Sequence, residues 1–239
     1  MAPADYTPSG RYPLVLILHG GGEVALAKAD PVYNENLLVN QDYVRAFTSV
    51  AAQERWPSFV LVPQAAAGNR WVNVPASVRS YTLASQPSLP LAMAMTILTS
   101  SLKAFPAIDR DRVYVTGISM GAFGTWEAAE RWPDIFAAAM PIAGSGDPNA
   151  AAALTQMAIW AFHGTADTTV PVAGSRRMIS AIRADGGGAC YTEYPGRGHD
   201  LWAVKSPLDQ TETLTWLFSQ SKDPPPNLTP LPCPATARN

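Results

Sequence analysis

Gly117-Ile118-Ser119-Met120-Gly121 lies between a β-rich run, Val113 to Thr116, and a helix-forming run, Ala122 to Arg131. Strand, tight turn and helix are the context in which G-x-S-x-G presents a serine as a nucleophile. So tight a turn forces the serine backbone into a strained conformation. A side chain two residues to either side would collide with the neighbouring strand or helix, which favours glycine at 117 and 121. The hydroxyl is then held above a helix N-terminus, where backbone N–H groups and the helix dipole favour negative charge.

A serine hydroxyl is a poor nucleophile near neutral pH and needs an adjacent base. The chain offers three histidines. His19 opens a glycine cluster, His19-Gly20-Gly21-Gly22, and His163 ends an apolar run before Gly164; both are expected to shape loops by hydrogen bonding. His199 follows the last apolar run, in Pro195-Gly196-Arg197-Gly198-His199, and in the order Ser…Asp…His it is the expected base. The orienting acid should follow an intermediate strand, as Asp167 does in His163-Gly164-Thr165-Ala166-Asp167; its alternative is a turn-forming role. Asp147 and Asp200 are rivals, although Asp200 adjoins His199, so those side chains should diverge. An oxyanion needs two donors: the N–H of Met120, after the nucleophile, and one from the glycine cluster, Gly21 with Gly22 assisting. Trp71 and Trp202 are candidate walls of the acyl or alcohol pocket, with a packing role as the alternative for each. Trp126, Trp132, Trp216 and Phe123 read as packing residues.

Six apolar runs must position these groups: 12–18, 59–62, 113–116, 136–142, 157–162 and 189–194. Runs apolar at every position suit strands covered on both faces. Helical spacing appears at 42–54, 91–105, 122–131, 173–184 and 209–219. Residues 23–40 are mixed, with a turn at Asp30-Pro31; 64–90 read as a long connection, of a length that is often functional; Asp109 to Arg112 reads as a polar turn. The alternation implies an α/β fold: a mostly parallel sheet of about six to eight strands with helices on both faces. His19, Ser119, Asp167 and His199 all follow strands, and open parallel sheets bind ligands at the strands' carboxyl ends. One domain over 1–220 is expected, with a Pro-rich extension, 221–239, outside the core.

With 47% apolar and 15% charged residues the sequence reads as globular, and a net charge of −2 without a basic cluster argues against nucleic-acid binding. No apolar run is long enough to span a membrane, and no signal-peptide pattern opens the chain. Cys190 and Cys233 are too few for a four-ligand zinc site. They are either free thiols in a reducing cytosol or one disulfide pinning the Pro-rich tail in an oxidising compartment. The tail favours the bridge, and with it a secreted or periplasmic setting over a cytoplasmic one.

The segments Pro13 to Gly22, Arg112 to Gly124, Ile159 to Pro171, Tyr191 to Gly196 and Gly198 to Trp202 resemble the α/β-hydrolase superfamily. More narrowly they resemble bacterial esterases grouped with polyhydroxybutyrate depolymerases, feruloyl and acetylxylan esterases and "predicted peptidases". The resemblance covers roughly residues 10–220 and implies the α/β-hydrolase fold and a Ser119, Asp167, His199 triad. It has departures. Members usually carry two antiparallel strands before the first parallel one, and only about a dozen residues precede Tyr12. The loop after the glycine cluster also lacks a Glu-Arg-Gly run.

The function expected is a serine carboxylesterase acting on small or aromatic esters through an acyl-enzyme on Ser119, with no metal or cofactor. The alternatives are a peptidase of prolyl-oligopeptidase type, disfavoured because no gating domain is visible, and a non-catalytic ester-binding protein, disfavoured because all three triad residues are present.

Overall fold

In the first strand Pro13 to Leu18 are buried at every position, and the chain organises a sheet around them. In this computed structural model residues 1–26, 29–203, 206–224, 226 and 228–234 are described. The strands are β1 (Tyr12–Leu18), β2 (Phe59–Leu61), β3 (Ile108–Ile118), β4 (Ala138–Ile142), β5 (Ala158–Gly164) and β6 (Cys190–Tyr194). They form one sheet in the order β2-β1-β3-β4-β5-β6, and every pairing is parallel. The expected sheet is therefore present, with six strands.

Parallel strands need crossovers, and the helices supply cover on both faces. The helices are α1 (Pro31–Val39), α2 (Asp42–Thr48), α3 (Val50–Arg55), α4 (Leu89–Ala104), α5 (Met120–Arg131), α6 (Ala173–Ala184) and α7 (Thr211–Ser219). Alternate strand residues divide between two cores. Leu14, Leu16, Leu18, Val113 and Val115 pack with Leu91 and Leu98 of α4, Trp126 of α5 and Met178 of α6. Val15, Ile17, Tyr114, Met140 and Phe162 face the other way, against Val44 and Phe47 of α2 and Leu214 and Leu217 of α7.

Several expectations are corrected. Asp109 to Arg112 belongs to β3: the register with β1 shifts between Tyr12 and Leu14, and the polar bulge is held by ion pairs from Asp109 to Arg11 and Arg112. The single helix over 42–54 is two, because Ser49 is extended and caps α3 through the N–H of Ala52. The mixed segment after the glycine cluster contains α1; Asp30 is its N-cap, accepting from the Tyr33 N–H, and Pro31 opens its first turn. The connection at 64–90 is largely irregular, with α4 opening at Leu89.

Cys190 and Cys233 are joined in a disulfide, so the bridge is formed rather than two thiols. The Pro-rich extension folds back as well: the Leu231 N–H donates to Ser219 Oγ, the Gln220 amide donates to the Leu231 carbonyl, and Cys233 packs against the second core.

Candidate active site

Strand order reverses direction between β1 and β3, which opens a crevice at the carboxyl ends of those two strands. Leu18 is in register with Gly117, so the glycine cluster after β1 emerges beside the turn after β3. That turn is fixed by the sheet: the Ser119 N–H donates to the Ile142 carbonyl at 2.9 Å. Ser119 is held at φ 51°, ψ −118°, a conformation that costs on the order of 1–3 kcal/mol and persists where surroundings over-determine it. The two glycines are sterically required. A Cβ at Gly121 would lie 1.8 Å from the Leu18 carbonyl oxygen, and one at Gly117 would lie 2.5 Å from that of Gly121.

Ser119 Oγ is 2.7 Å from Nε2 of His199, and His199 Nδ1 is 2.6 Å from Oδ2 of Asp167. The structure thus brings together the three residues singled out in the sequence, from the loops after β3, β5 and β6. Asp167 uses Oδ1 to accept the N–H groups of Thr169 and Val170. Burial would raise its pKa, but the hydrogen bonds from His163, His199 and the Val170 N–H outweigh that and hold it well below the usual carboxylate range. His199 stands edge-to-face against Trp202, ring centroids 4.8 Å apart, and its loop is braced by an Arg197–Asp200 ion pair at 3.0 Å.

The rival acids are occupied elsewhere. Asp147 caps the short helical turn at Pro148–Leu154 and accepts the Leu83 N–H at 2.8 Å. Asp200 is committed to Arg197. The other histidines are buried in loop contacts. His19 accepts the Ala65 N–H on Nε2 and donates from Nδ1 to the Gly20 carbonyl, and burial lowers its pKa to about 4. His163 contacts Ser175 Oγ and the Val170 carbonyl, with Nε2 3.5 Å from Asp167 Oδ2.

Ser119, Met120 and Gly21 line one cleft of ≈ 420 Å³. Gly21 opens a short 3-10 turn, Gly21–Glu23, and Met120 is the first residue of α5, so both N–H groups belong to a first turn, where no intrahelical partner exists. A Cβ at Gly21 or Gly22 would meet nothing within 4 Å.

Trp71 and Trp202 are not walls of this cleft. Trp71 is buried, with its indole N–H donating to the His19 carbonyl at 2.9 Å; it braces the glycine loop from behind. Trp202 packs on His199. The cleft is lined instead by Asn69, Arg70, Val72 and Val74 of the long connection, with Phe123 and Thr169. Phe123, read from the sequence as a packing residue, is buried and also lines the cleft; of the others no residue stands out in the sequence, although the length of 64–90 points to this segment.

Comparisons with known proteins agree with this architecture. The dienelactone hydrolase family pattern matches residues 48–215, well over half of the chain. A 53-residue stretch, 22% of this chain, is 49% identical to poly(3-hydroxyalkanoate) depolymerase C of Paucimonas lemoignei. The crystal structure of a thermostable esterase superposes with a TM-score of 0.77 at 32% identity over 93% of this chain. A ferulic acid esterase superposes at 0.57 with 18% identity, covering 84% of each chain, a likeness of fold. The chain spans 58% of that thermostable esterase and 13% of the depolymerase. The pattern match and the six-stranded parallel sheet together mean that the chain belongs to the dienelactone hydrolase family, within the α/β-hydrolases.

Proposed function

We propose that the protein is a serine carboxylesterase acting on small or aromatic esters. The observation that carries this reading is the continuous Ser119–His199–Asp167 chain at 2.7 and 2.6 Å beside the cleft. In this mechanism His199 Nε2 takes the Ser119 proton as Oγ attacks the ester carbonyl, and Asp167 fixes the tautomer through Nδ1–H and stabilises the imidazolium. The oxyanion is received by the N–H groups of Met120 and Gly21, with Gly22 assisting, each such donor being worth about 3 kcal/mol. His199 returns the proton to the leaving alcohol, and water, deprotonated by the same imidazole, hydrolyses the acyl-enzyme. The Cys190–Cys233 disulfide supports an oxidising compartment, secreted or periplasmic.

The test is a serine-directed phosphonate read by intact mass, alongside turnover of p-nitrophenyl esters, feruloyl esters and aminoacyl p-nitroanilides. The expected result is one adduct on the wild type, none on Ser119→Ala, and turnover of esters in preference to anilides. An adduct that survives Ser119→Ala would overturn the reading.

A further inference from the structure

A second, smaller cavity of ≈ 220 Å³ adjoins the Ser119 cleft, and the two share Asn69 as a common wall. The second cavity is a groove between α4 and the segment after β2, formed by Ala65, Ala66, Leu89, Pro90, Met93 and Ile97, and none of its lining residues is charged. Trp71, tied to the His19 carbonyl, lines the second cavity and not the first.

The outer face of α4 departs from the usual pattern. A surface helix turns its apolar stripe to the core and polar residues to water. Here α4 buries Leu91, Ala94, Met95 and Leu98, yet also presents Leu89, Met93 and Ile97, which are 70%, 55% and 43% exposed. These three recur every fourth residue and so lie one above another on a single face. Scattered exposed apolar residues are ordinary, but a contiguous row beside a cavity marks a binding surface. The only charged residue of α4, Lys103, lies in its last turn, beyond the groove.

We propose that this groove binds the aliphatic chain of a long, neutral ester whose carbonyl lies at Ser119, the chain crossing Asn69 from cleft to groove. The inference rests on the serine esterase reading and widens its substrates beyond small or aromatic esters to long aliphatic ones. Adjacency to the cleft across the shared wall at Asn69 is what selects this occupant. The chemistry of the groove agrees: it offers a charged chain no counter-ion, and the Gln64 amide at its rim is committed to the Glu23 and Asn34 carbonyls. A methylene chain needs neither.

The test compares kcat/KM for p-nitrophenyl octanoate against p-nitrophenyl acetate and, as a second arm, octyl acetate against ethyl acetate, so that a chain on either side of the ester is probed. Wild type, Met93→Glu, Ile97→Glu and the conservative Met93→Leu are measured, with Tm as a folding control, because the substituted positions face solvent. In one arm the long-to-short ratio should fall about tenfold in both glutamate variants and be retained in Met93→Leu. A ratio that stays within about threefold of wild type in both arms overturns the proposal. So does a wild-type dimer that Met93→Glu makes monomeric at an unchanged ratio, which would assign the stripe to contact between copies. A wild type that turns over no ester removes the esterase reading and this inference with it; esters turned over with an unchanged ratio remove only the inference.

Discussion

His163 Nε2 lies 3.5 Å from the same Asp167 oxygen that His199 Nδ1 approaches at 2.6 Å. The Asp167 carboxylate is fully buried, and each partner around it stabilises its charged form. The acid is thereby kept ionised and fixed in direction, which an orienting group for a catalytic imidazole requires.

Asp167→Asn should lower kcat on a neutral p-nitrophenyl ester by about 10⁴-fold, because an amide can present its N–H to Nδ1 and select the wrong tautomer. Asp147→Asn, at the rival acid, should leave kcat within about tenfold of wild type, since Asp147 caps a helical turn and holds the 81–84 segment. Equal losses at the two positions would sink the assignment.

The pH dependence of Asp167 has a definite sign. Its pKa is lowered on folding, so its contribution to stability is present above the ordinary carboxylate pKa of 3.8 and is lost as pH falls through the depressed value. Unfolding titrations from pH 6 downward should lose stability with a smaller slope in Asp167→Asn than in wild type.

Glu130 behaves oppositely. Burial raises its pKa from 4.5 to about 8, against a hydrogen bond from the Asp147 N–H, and Asp147 and Glu127 add repulsion. The folded chain therefore holds a proton that the unfolded chain releases near 4.5. The stability this contributes is complete below that pH and is lost as pH rises through about 8. Glu130→Gln keeps the carbonyl acceptor for Asp147 and should gain on wild type between pH 5 and 9 by on the order of 3 kcal/mol, read from urea midpoints at each pH. A pH-independent difference would show that the carboxyl is ionised in the fold.

The Cys190–Cys233 disulfide closes a loop of sequence separation 43. In the chain-entropy account such a bridge contributes about 4 kcal/mol, so Cys233→Ser should lower Tm by roughly 10 °C. Reductant should lower the wild-type Tm by a similar amount and leave the variant unchanged. Insensitivity of a wild type whose bridge is shown by thiol titration to be reduced would mean that the bridge contributes nothing to the folded state.

Two glycines near Ser119 should respond differently to alanine. At Gly121 the new Cβ would meet the Leu18 carbonyl at 1.8 Å, and the resulting backbone shift should cost at least about 3 kcal/mol along with activity. At Gly22 the Cβ points into open space, and thermal stability should stay within about 0.5 kcal/mol of wild type. The comparison is made by thermal and urea unfolding.

What the sequence determined by itself was local. Runs such as Pro13 to Leu18 suit interior strands covered on both faces, and Gly117 and Gly121 mark a turn too tight for a Cβ, so the alternation of elements and the Ser119 turn could be read from one stretch at a time. The order Ser119, Asp167, His199 named candidates in the same way, since each follows a strand. Tertiary structure decided what depends on distant segments. Asp109 to Arg112 looked like a turn because its polarity is local, whereas its place in β3 depends on Arg11, nearly a hundred residues away in sequence. Trp71 can be read from the sequence as a wall of the Ser119 cleft, whereas the His19 carbonyl across the sheet end draws its indole inward, where it lines the neighbouring groove instead. Which cysteine state forms, which side chains line the cleft, and how α4 exposes an apolar row beside it all depend on where the long connection lies. No periodicity encodes that path; packing against α4, α5 and the glycine loop sets it.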